Sequence, residues 1–199
     1  MKIIAIVSQT GGVGKSTLTL NLALFLGTQG ADVAVCDADA QGSLTAAADL
    51  LTGLRFVQPA DVWSRQVADF DLVIVDTSPR NDADLAKLLA VADFVLIPVR
   101  PGFFDVLAVK DTIALLTQAQ VKRPDLKAAI VLTMVQHRTA VTRDVQAMLE
   151  AFPVETLPVM VHHRVAYTRS AMTNGILGSN DLKAYEEITD LATAIIDRL

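Results

Sequence analysis

Residues 11–17 read Gly11-Gly12-Val13-Gly14-Lys15-Ser16-Thr17, and they directly follow a short apolar run and open a segment of helical period. Backbone N–H groups can surround a phosphate only where no Cβ intrudes, and the three glycines permit that approach at the N-terminus of a helix. We expect Lys15 to reach the β- and γ-phosphates of a nucleotide and the Ser16 hydroxyl to bind Mg²⁺. The stretch therefore predicts a phosphate site of strand–loop–helix form. It is a variant of the general P-loop pattern, since Gln9 stands where the first glycine is expected.

Short apolar runs rich in β-branched residues alternate with segments of helical period along the chain. Consecutive apolar residues are typical of strands buried on both faces of a parallel sheet, and the alternation implies right-handed βαβ crossovers. The sequence therefore predicts a single α/β domain over residues 1–199, with a three-layer, doubly wound, mainly parallel sheet. The predicted strands are Ile3–Val7, Val33–Cys36, Leu72–Val75, Phe94–Val99 and Ala129–Met134, with a short one at Leu54–Val57. The predicted helices are Lys15–Gly27, Asp84–Val91, Val106–Ala119, Thr142–Ala151 and a terminal core helix within Asp181–Leu199.

Three aspartates follow predicted strands. Asp37 and Asp39 come after the second long apolar run, and Asp76 comes after the third. The carboxyl ends of parallel strands meet at the edge that carries the phosphate loop, so we expect these side chains near the phosphates. Asp76 then suits a carboxylate that holds Mg²⁺ through water. Of the other two, one can join the metal shell while its neighbour orients the attacking water or accepts its proton. The alternative is that they are turn residues, because Asp is common where strands end.

Composition and charge exclude several classes of function. The chain has 199 residues with 17 basic and 22 acidic side chains, a net charge of −5, so it is not a globally basic nucleic-acid binder. Its single cysteine, Cys36, excludes an internal disulfide and a cysteine-ligated zinc or iron–sulfur site within one chain. No apolar run reaches the roughly 18–20 residues that span a bilayer, and the first residues lack the pattern of a signal peptide. These features predict a cytoplasmic protein with no membrane partner.

The order of five motifs resembles the ParA/MinD family of deviant Walker ATPases, and in particular its small plasmid-partition branch. The motifs are GGVGKST, DADAQGS, VIVDTSP, a strand that ends IPVRP, and VLTM, and the resemblance spans roughly Met1 to Leu177. It implies ATP and Mg²⁺ as cofactors, slow hydrolysis, and an ATP-dependent homodimer that forms face to face. It also implies nonspecific DNA binding, association with the nucleoid, and stimulation by a ParB-like or other adaptor protein. The expected task is to partition or position a plasmid, a chromosome or a protein assembly.

The resemblance also assigns roles to individual residues. Lys15 matches the P-loop lysine, Ser16 the Mg²⁺ ligand and Asp76 the Walker B aspartate. Asp39 matches the residue that positions the hydrolytic water, with Asp37 beside it. The remaining assignments to the nucleotide are Gly11, Gly12, Val13 and Gly14 in the loop, Thr17 at the α-phosphate, and Met134 with the segment from Pro158 to Val161 at the adenine.

One position departs from the family pattern. Relatives carry a signature lysine just before the paired glycines, where this chain has Thr10. In the family that lysine reaches the partner subunit's phosphates, and a neutral side chain makes a contact about half as strong as a charged one. Weaker dimerisation, slower hydrolysis and a substitute cation are the three open consequences. Arg80 is the first candidate for the substitute, and Arg100 and Lys2 are the others.

Residues 121–170 hold seven basic side chains against four acidic ones, and this local excess is a candidate DNA surface. Nonspecific binding needs only phosphate contacts from several cations on one face. The residues chosen as candidates are Arg138, Arg143, Arg164 and Arg169. The alternative is solvated charge scattered over separate loops. The adjacent His162 and His163 are interpreted as surface residues, because neighbours on a strand point to opposite faces.

Two other functions remain open from the sequence. An ATP-dependent metabolic ligase of the dethiobiotin-synthetase-like type also has a P-loop without the signature lysine. A nucleotide-binding switch that hydrolyses almost nothing is likewise compatible with Thr10. A membrane-bound regulator similar to MinD is disfavoured, because the exposed face of the final helix is acidic where a membrane surface would want Lys or Arg.

Overall fold

A sheet of seven parallel strands forms the middle layer of the molecule. The computed structural model describes residues 1–39, 41–79, 82–136 and 140–199. The strand order is β3-β2-β4-β1-β5-β6-β7, and every pair of neighbours is parallel. The strands are β1 (Lys2–Ile6), β2 (Val33–Ala38), β3 (Arg55–Phe56), β4 (Leu72–Thr77), β5 (Phe94–Val99), β6 (Lys127–Val135) and β7 (Glu155–His162). The predicted α/β fold with a doubly wound parallel sheet is confirmed.

Helices cover both faces of this sheet. They are α1 (Lys15–Thr28), α2 (Ser43–Ala46), α3 (Pro59–Trp63), α4 (Asp82–Val91), α5 (Phe103–Lys122), α6 (Ala140–Leu149), α7 (Val165–Arg169) and α8 (Leu182–Ile196), with short 3₁₀ turns at Ala48–Leu50 and Ile176–Gly178. Within the described ranges, none of these helices has both the length and the hydropathy to cross a membrane.

The two faces of the sheet bury separate hydrophobic cores. Helices α1, α7 and α8 pack on one face, and α4, α5 and α6 pack on the other. Alternate residues of each central strand point into each core, so β4 and β5 are buried along their whole length. This two-sided burial explains why the central strands are continuous apolar runs.

The edge strand β7 is the long strand that the apolar runs do not predict. Only some of its residues are buried, and Pro158 interrupts it. A strand with a neighbour on one side only can contain a proline, because some of its N–H groups have no ladder partner to lose. Because β7 lies at the edge of the sheet, it lacks the continuous apolar run that identified the central strands.

The carboxyl ends of the strands define one edge of the sheet, which we call the phosphate edge. Residues 7–14 leave β1 at this edge and lead into α1. Lys2 begins β1 and therefore lies at the opposite edge, where its Nζ is 3.1 Å from the Leu199 carbonyl and 3.9 Å from Asp93. The hypothesis that Lys2 replaces the signature lysine is therefore wrong.

Candidate nucleotide-binding site

The loop between β1 and α1 has the backbone conformation that its glycines predict. Gly12 and Gly14 have φ angles of 70° and 92°, a region in which a residue with a Cβ is strained. The Gly14 carbonyl accepts the Leu18 N–H at 2.9 Å and so begins the first helical turn. Lys15 is buried, and its ammonium group donates to the Thr10 carbonyl at 3.2 Å. Burial lowers the pKa of Lys15, while the carboxylates of Asp76 and Asp39 act in the opposite direction.

A residue outside the loop also holds its backbone in place. The buried Thr133 hydroxyl, on β6, donates to the Val13 carbonyl at 2.9 Å. This bond joins positions 120 residues apart, so no local sequence pattern identifies it. Thr133 is a site residue that sequence reasoning missed.

Ser16 and Asp76 form the core of a candidate Mg²⁺ site. The Ser16 hydroxyl donates to Oδ2 of Asp76 at 2.6 Å. Asp76 is fully buried, and among the described residues none donates to its Oδ1. Burial raises the pKa of Asp76 to about 7; the Ser16 hydrogen bond lowers it, and the charge of Asp37 adds to the rise. A hydroxyl oxygen beside a buried carboxylate with one unused oxygen fits the oxygen ligands that Mg²⁺ prefers.

Asp37 and Asp39 have different surroundings, although both lie at the end of β2. Asp37 stands directly beside Asp76 in the sheet register, and its Oδ2 accepts the N–H groups of Leu44 and Thr45 at 3.0 and 2.9 Å. It therefore caps the short helix α2 as well as facing the phosphate edge. The Asp39 carboxylate accepts the Gln41 N–H at 2.9 Å in a tight turn. Their assignments to the metal and to the attacking water stay predictions.

Of the candidate replacements for the signature lysine, the described part of the chain contains Lys2 and Arg100. The backbone N–H of Thr10 contacts the Ser8 hydroxyl at 3.3 Å. Arg100 follows β5 at the phosphate edge, but its guanidinium pairs with Asp105 at 2.8 Å. Arg80 lies outside the described residues. The structure thus gives Arg100 a partner within its own chain.

A cavity of about 240 Å³ adjoins the phosphate loop. Met134 lines it and has a φ of 53°, a left-handed conformation that is rare for a residue with a side chain. The register of β6 against β7 shifts between Leu132 and Val135, which accommodates this conformation. The lining residues are Val13, Gly14, Thr17, Leu18, Thr133, Met134, Val161, His162, His163, Arg164, Tyr167 and Thr168.

Pro158, which the resemblance assigns to the adenine, does not line this cavity. It is exposed and lies beside Gln146 and Glu150 in a different surface depression. Pro158 is too far from the carboxyl end of β7, whereas Val161 and the residues after it border the phosphate loop. Within the segment from Pro158 to Val161, only Val161 lines the cavity, and the assignment of this segment to the adenine stays a prediction.

Of the four arginines proposed as DNA contacts, the three that the structure describes do not form one surface. Arg164 is ion-paired with Glu187 at 2.6 Å and its side chain is only 13% exposed, so its selection as a DNA contact is wrong. Arg143 and Arg169 are both exposed, but they lie on helices that cover opposite faces of the sheet. Arg138 lies outside the described residues.

The adjacent histidines have different surroundings, and only one of them is an exposed surface residue. His162 is half-buried and its Nδ1 lies 2.8 Å from Glu187, while His163 is exposed as predicted. Throughout the described ranges, no three His, Cys, Asp or Glu side chains cluster as metal ligands. Cys36 is buried, and burial raises the pKa of its thiol to about 12.

A glycine-rich loop with a buried lysine, a serine–aspartate pair and a nucleoside-sized cavity at one sheet edge together define a nucleotide-binding protein of the P-loop class. The chain belongs to the CobQ/CobB/MinD/ParA nucleotide binding domain family, whose model matches residues 4–175. The resemblance to ParA and MinD is thereby confirmed.

Individual relatives match over almost the whole chain. The maintenance of carboxysome distribution protein A of Halothiobacillus neapolitanus is 33% identical, over 97% of this chain and 95% of its own length. MinD, a cell division protein of Aquifex aeolicus, has a structure that matches with a TM-score of 0.77 at 20% identity, over 99% of this chain and 97% of that one. A putative plasmid partition protein of Borrelia burgdorferi bound to AMPPNP matches with a TM-score of 0.72 at 19% identity, over 97% and 98%.

Proposed function

We propose that this chain is a Mg²⁺-dependent ATPase switch that dimerises with ATP and, as a dimer, binds DNA without sequence preference to position a cargo. Hydrolysis, stimulated by an adaptor protein of ParB-like or other type, returns it to the monomer. The observation that carries the proposal is the phosphate edge, where Lys15, Ser16 and Asp76 stand together beside a cavity for a nucleoside. Each of these features serves a nucleoside triphosphate, and none is needed merely to complete the fold.

The residues at this edge have separable tasks in the proposed reaction. The loop N–H groups and Lys15 hold the phosphates, and Ser16 and Asp76 are the residues that would hold Mg²⁺. When bound, the metal would neutralise charge on the β- and γ-phosphates. Asp39, which contributes to the electrostatic environment of Lys15, orients the attacking water in this proposal.

Exposed aromatic side chains at the phosphate edge support the dimer. Phe103 and Phe104 begin α5 directly after β5, are 57% and 81% exposed, and pack edge to face with ring centroids 5.7 Å apart. Adjacent exposed aromatic residues are costly in a monomer and typical of interaction surfaces. A face-to-face dimer with two nucleotides between its subunits would cover this edge of the sheet.

A protein assembly is the cargo that we propose. The relative named for carboxysome distribution is similar to this chain over nearly the full length of both proteins. A large protein assembly is therefore a better first candidate than a plasmid or a chromosome. The same full-length similarity favours a positioning switch over a metabolic ligase.

Sedimentation velocity with no nucleotide, ADP, ATP or a nonhydrolysable ATP analogue tests the switch, with Mg²⁺ present throughout. We expect a monomer except with ATP or the analogue, which should give a dimer. The Lys15→Ala variant is the matched control, because it removes the ammonium group and leaves the loop glycines unchanged. Equal sedimentation in all four states, or an unchanged ATP response in Lys15→Ala, would overturn the proposal.

A nearly non-hydrolysing switch is the second candidate, and Thr10 is the observation that favours it. The chain lacks the signature lysine, and Arg100 is already engaged by Asp105. Phosphate release measured under the conditions that give the dimer separates the candidates. If the rate of phosphate release by wild type stays at the level of Lys15→Ala, even with the adaptor added, the chain is the nearly non-hydrolysing switch.

A further inference from the structure

Glu187, on α8, is the centre of a hydrogen-bond network that the phosphate chemistry does not use. Its side chain is 11% exposed. Arg164 donates to Oε1 through Nε at 2.9 Å and through Nη2 at 2.6 Å. His162 contacts the same carboxylate twice, through its backbone N–H at 3.2 Å and through ring Nδ1 at 2.8 Å. The Tyr167 hydroxyl lies 3.0 Å from Oε2 and 3.1 Å from the Ala184 carbonyl, so it donates to one or the other.

The residues that Glu187 binds form one wall of the cavity beside the phosphate loop. His162, Arg164 and Tyr167 all line that cavity, together with Gly14 and Thr17. They belong to the segment that leaves β7 and forms α7, which is otherwise a short connection. Glu187 is not a lining residue, so its effect on a bound molecule must pass through its three partners.

The charge balance of the network indicates that the carboxylate is ionised. Burial alone would raise the pKa of Glu187, but the hydrogen bonds from Arg164, His162 and Tyr167 outweigh burial and lower it. Arg164 donates two charge-assisted hydrogen bonds to one oxygen of the buried carboxylate, which holds its guanidinium close to Glu187. The network therefore gives the cavity wall one arrangement before any ligand binds.

We propose that Glu187 is a positioning residue for the nucleoside part of the bound nucleotide. It holds His162, Arg164 and Tyr167 in the arrangement that receives the base and ribose, and it makes no contribution at the phosphates. This inference rests on the proposed function, in that the cavity is taken to be the nucleoside site. A wall that is ordered in advance costs less on binding than one that the ligand must order, so Glu187 increases affinity for the nucleoside without touching it.

The affinities of three ligands test whether Glu187 affects binding of the nucleoside but not binding of the phosphates. ATP and ADP carry both the nucleoside and the phosphates, whereas inorganic tripolyphosphate carries phosphates alone. In Glu187→Gln we expect affinity for ATP and ADP to fall about tenfold, the effect of one lost charge-assisted hydrogen bond, while tripolyphosphate affinity is unchanged. Glu186→Gln is the matched control, since Glu186 is the adjacent, exposed glutamate of the same helix.

A double-mutant cycle tests whether the effect runs through the guanidinium. Arg164→Gln should reproduce the ligand pattern of Glu187→Gln, and the double variant should be no weaker than either single variant. Tyr167→Phe removes one donor and should shift ATP affinity in the same direction by a smaller factor. This milder variant keeps the test decisive if Glu187→Gln does not fold.

The outcomes separate this inference from the proposed function. Equal loss of affinity for all three ligands in Glu187→Gln would show a general structural role and overturn the inference, and so would unchanged ATP affinity. Wild-type protein that binds neither ATP nor tripolyphosphate would overturn the proposed function as well. Selective loss of ATP and ADP affinity in Glu187→Gln supports both the positioning role of Glu187 and the proposed function.

Discussion

Asp76 combines full burial with an oxygen that accepts no hydrogen bond from the described residues, beside a serine hydroxyl 2.6 Å from its other oxygen. A buried carboxylate in this condition opposes folding when it is ionised without a cation. Such a residue is retained where a bound group offsets the cost. The free energy of unfolding of the metal-free protein should therefore show whether the ionised Asp76 carboxylate destabilises the fold.

Replacing Asp76 by Asn should stabilise the metal-free protein at high pH. The pKa of Asp76 is about 7 in the folded chain against an ordinary 3.8, so protonation stabilises the folded state below 3.8 and this stabilisation is lost as the pH rises through 7. The upper limit of the effect is about 4 kcal/mol. In EDTA at pH 8 we expect a Tm for Asp76→Asn about 5 °C or more above wild type, with the difference shrinking towards pH 4.

Magnesium provides the control for this prediction. Mg²⁺ with nucleotide should raise the Tm of wild type at pH 8 more than that of Asp76→Asn. Thermal unfolding followed by circular dichroism measures both. An Asp76→Asn protein that is no more stable than wild type at pH 8 in EDTA would contradict the account of the buried charge.

Asp39→Ala should separate nucleotide binding from hydrolysis. Asp39 lies at the phosphate edge but contacts the Gln41 N–H and no loop glycine, so its removal leaves the phosphate cradle intact. We expect ATP affinity within about twofold of wild type and hydrolysis at least tenfold slower, in line with the loss of a group that orients water. The dimer should accumulate with ATP.

Asp49→Ala is the matched control for that substitution, because Asp49 is an exposed aspartate in the following 3₁₀ turn. Phosphate release and ATP titration are the two measurements. Unchanged turnover in Asp39→Ala would mean that another group orients the water, and Asp37 would be the next to test. Its removal would also uncap α2, so a helix-stability control would be needed.

At the scale of single residues, the sequence predicted contacts that are local and missed those that are distant. The loop from Gly11 to Thr17 was identifiable because its conformation and chemistry depend on seven consecutive residues. Thr133 and Glu187 act on partners 120 and 25 residues away, and neither has a spacing that could reveal this. Arg164 was misassigned for the same reason, since its partner lies on a helix 23 residues further along.

At the scale of secondary-structure elements, burial decided what could be predicted. The central strands β1, β4 and β5 have apolar residues on consecutive positions because helices cover both of their sides. The edge strand β7 lacks this pattern, and its carboxyl end borders the cavity beside the phosphate loop. Pro158 lies before the carboxyl end of β7, and its assignment to the adenine stays a prediction.

The beginning of α5 is the element whose exposure most directly predicts an interface. Phe104→Glu should weaken ATP-dependent dimerisation by about tenfold or more, because a carboxylate would be buried at the interface. Phe104 is 81% exposed, so the monomer should keep its Tm and its ATP affinity. Sedimentation velocity over a concentration series measures the change.

Val121→Glu is the matched control, since Val121 is 80% exposed at the other end of the same helix and at the opposite edge of the sheet. It should dimerise as wild type does. A Phe104→Glu protein with wild-type dimerisation would mean that the aromatic pair lies outside the interface. The proposed face-to-face arrangement would then need another contact surface.

At the scale of the whole molecule, the net charge of −5 opposes binding to DNA. Of the proposed DNA contacts, Arg143 and Arg169 are exposed on helices that cover opposite faces of the sheet, so one subunit does not present these two cations on the same side. A dimer doubles each of these positions and can bring cations of two subunits to one duplex. DNA binding, if it depends on the dimer, must therefore depend on ATP.

Retention on random-sequence DNA, measured with ATP, ADP or no nucleotide over a salt series, tests whether ATP controls DNA binding by this chain. We expect retention with ATP alone and a steep linear fall of log affinity with log salt concentration. The slope of this salt dependence should be shallower in Arg169→Glu. Retention that is equal in all three nucleotide states, or absent in all of them while the ATP dimer forms, would contradict the claim that this chain is a nucleotide-gated DNA-binding switch.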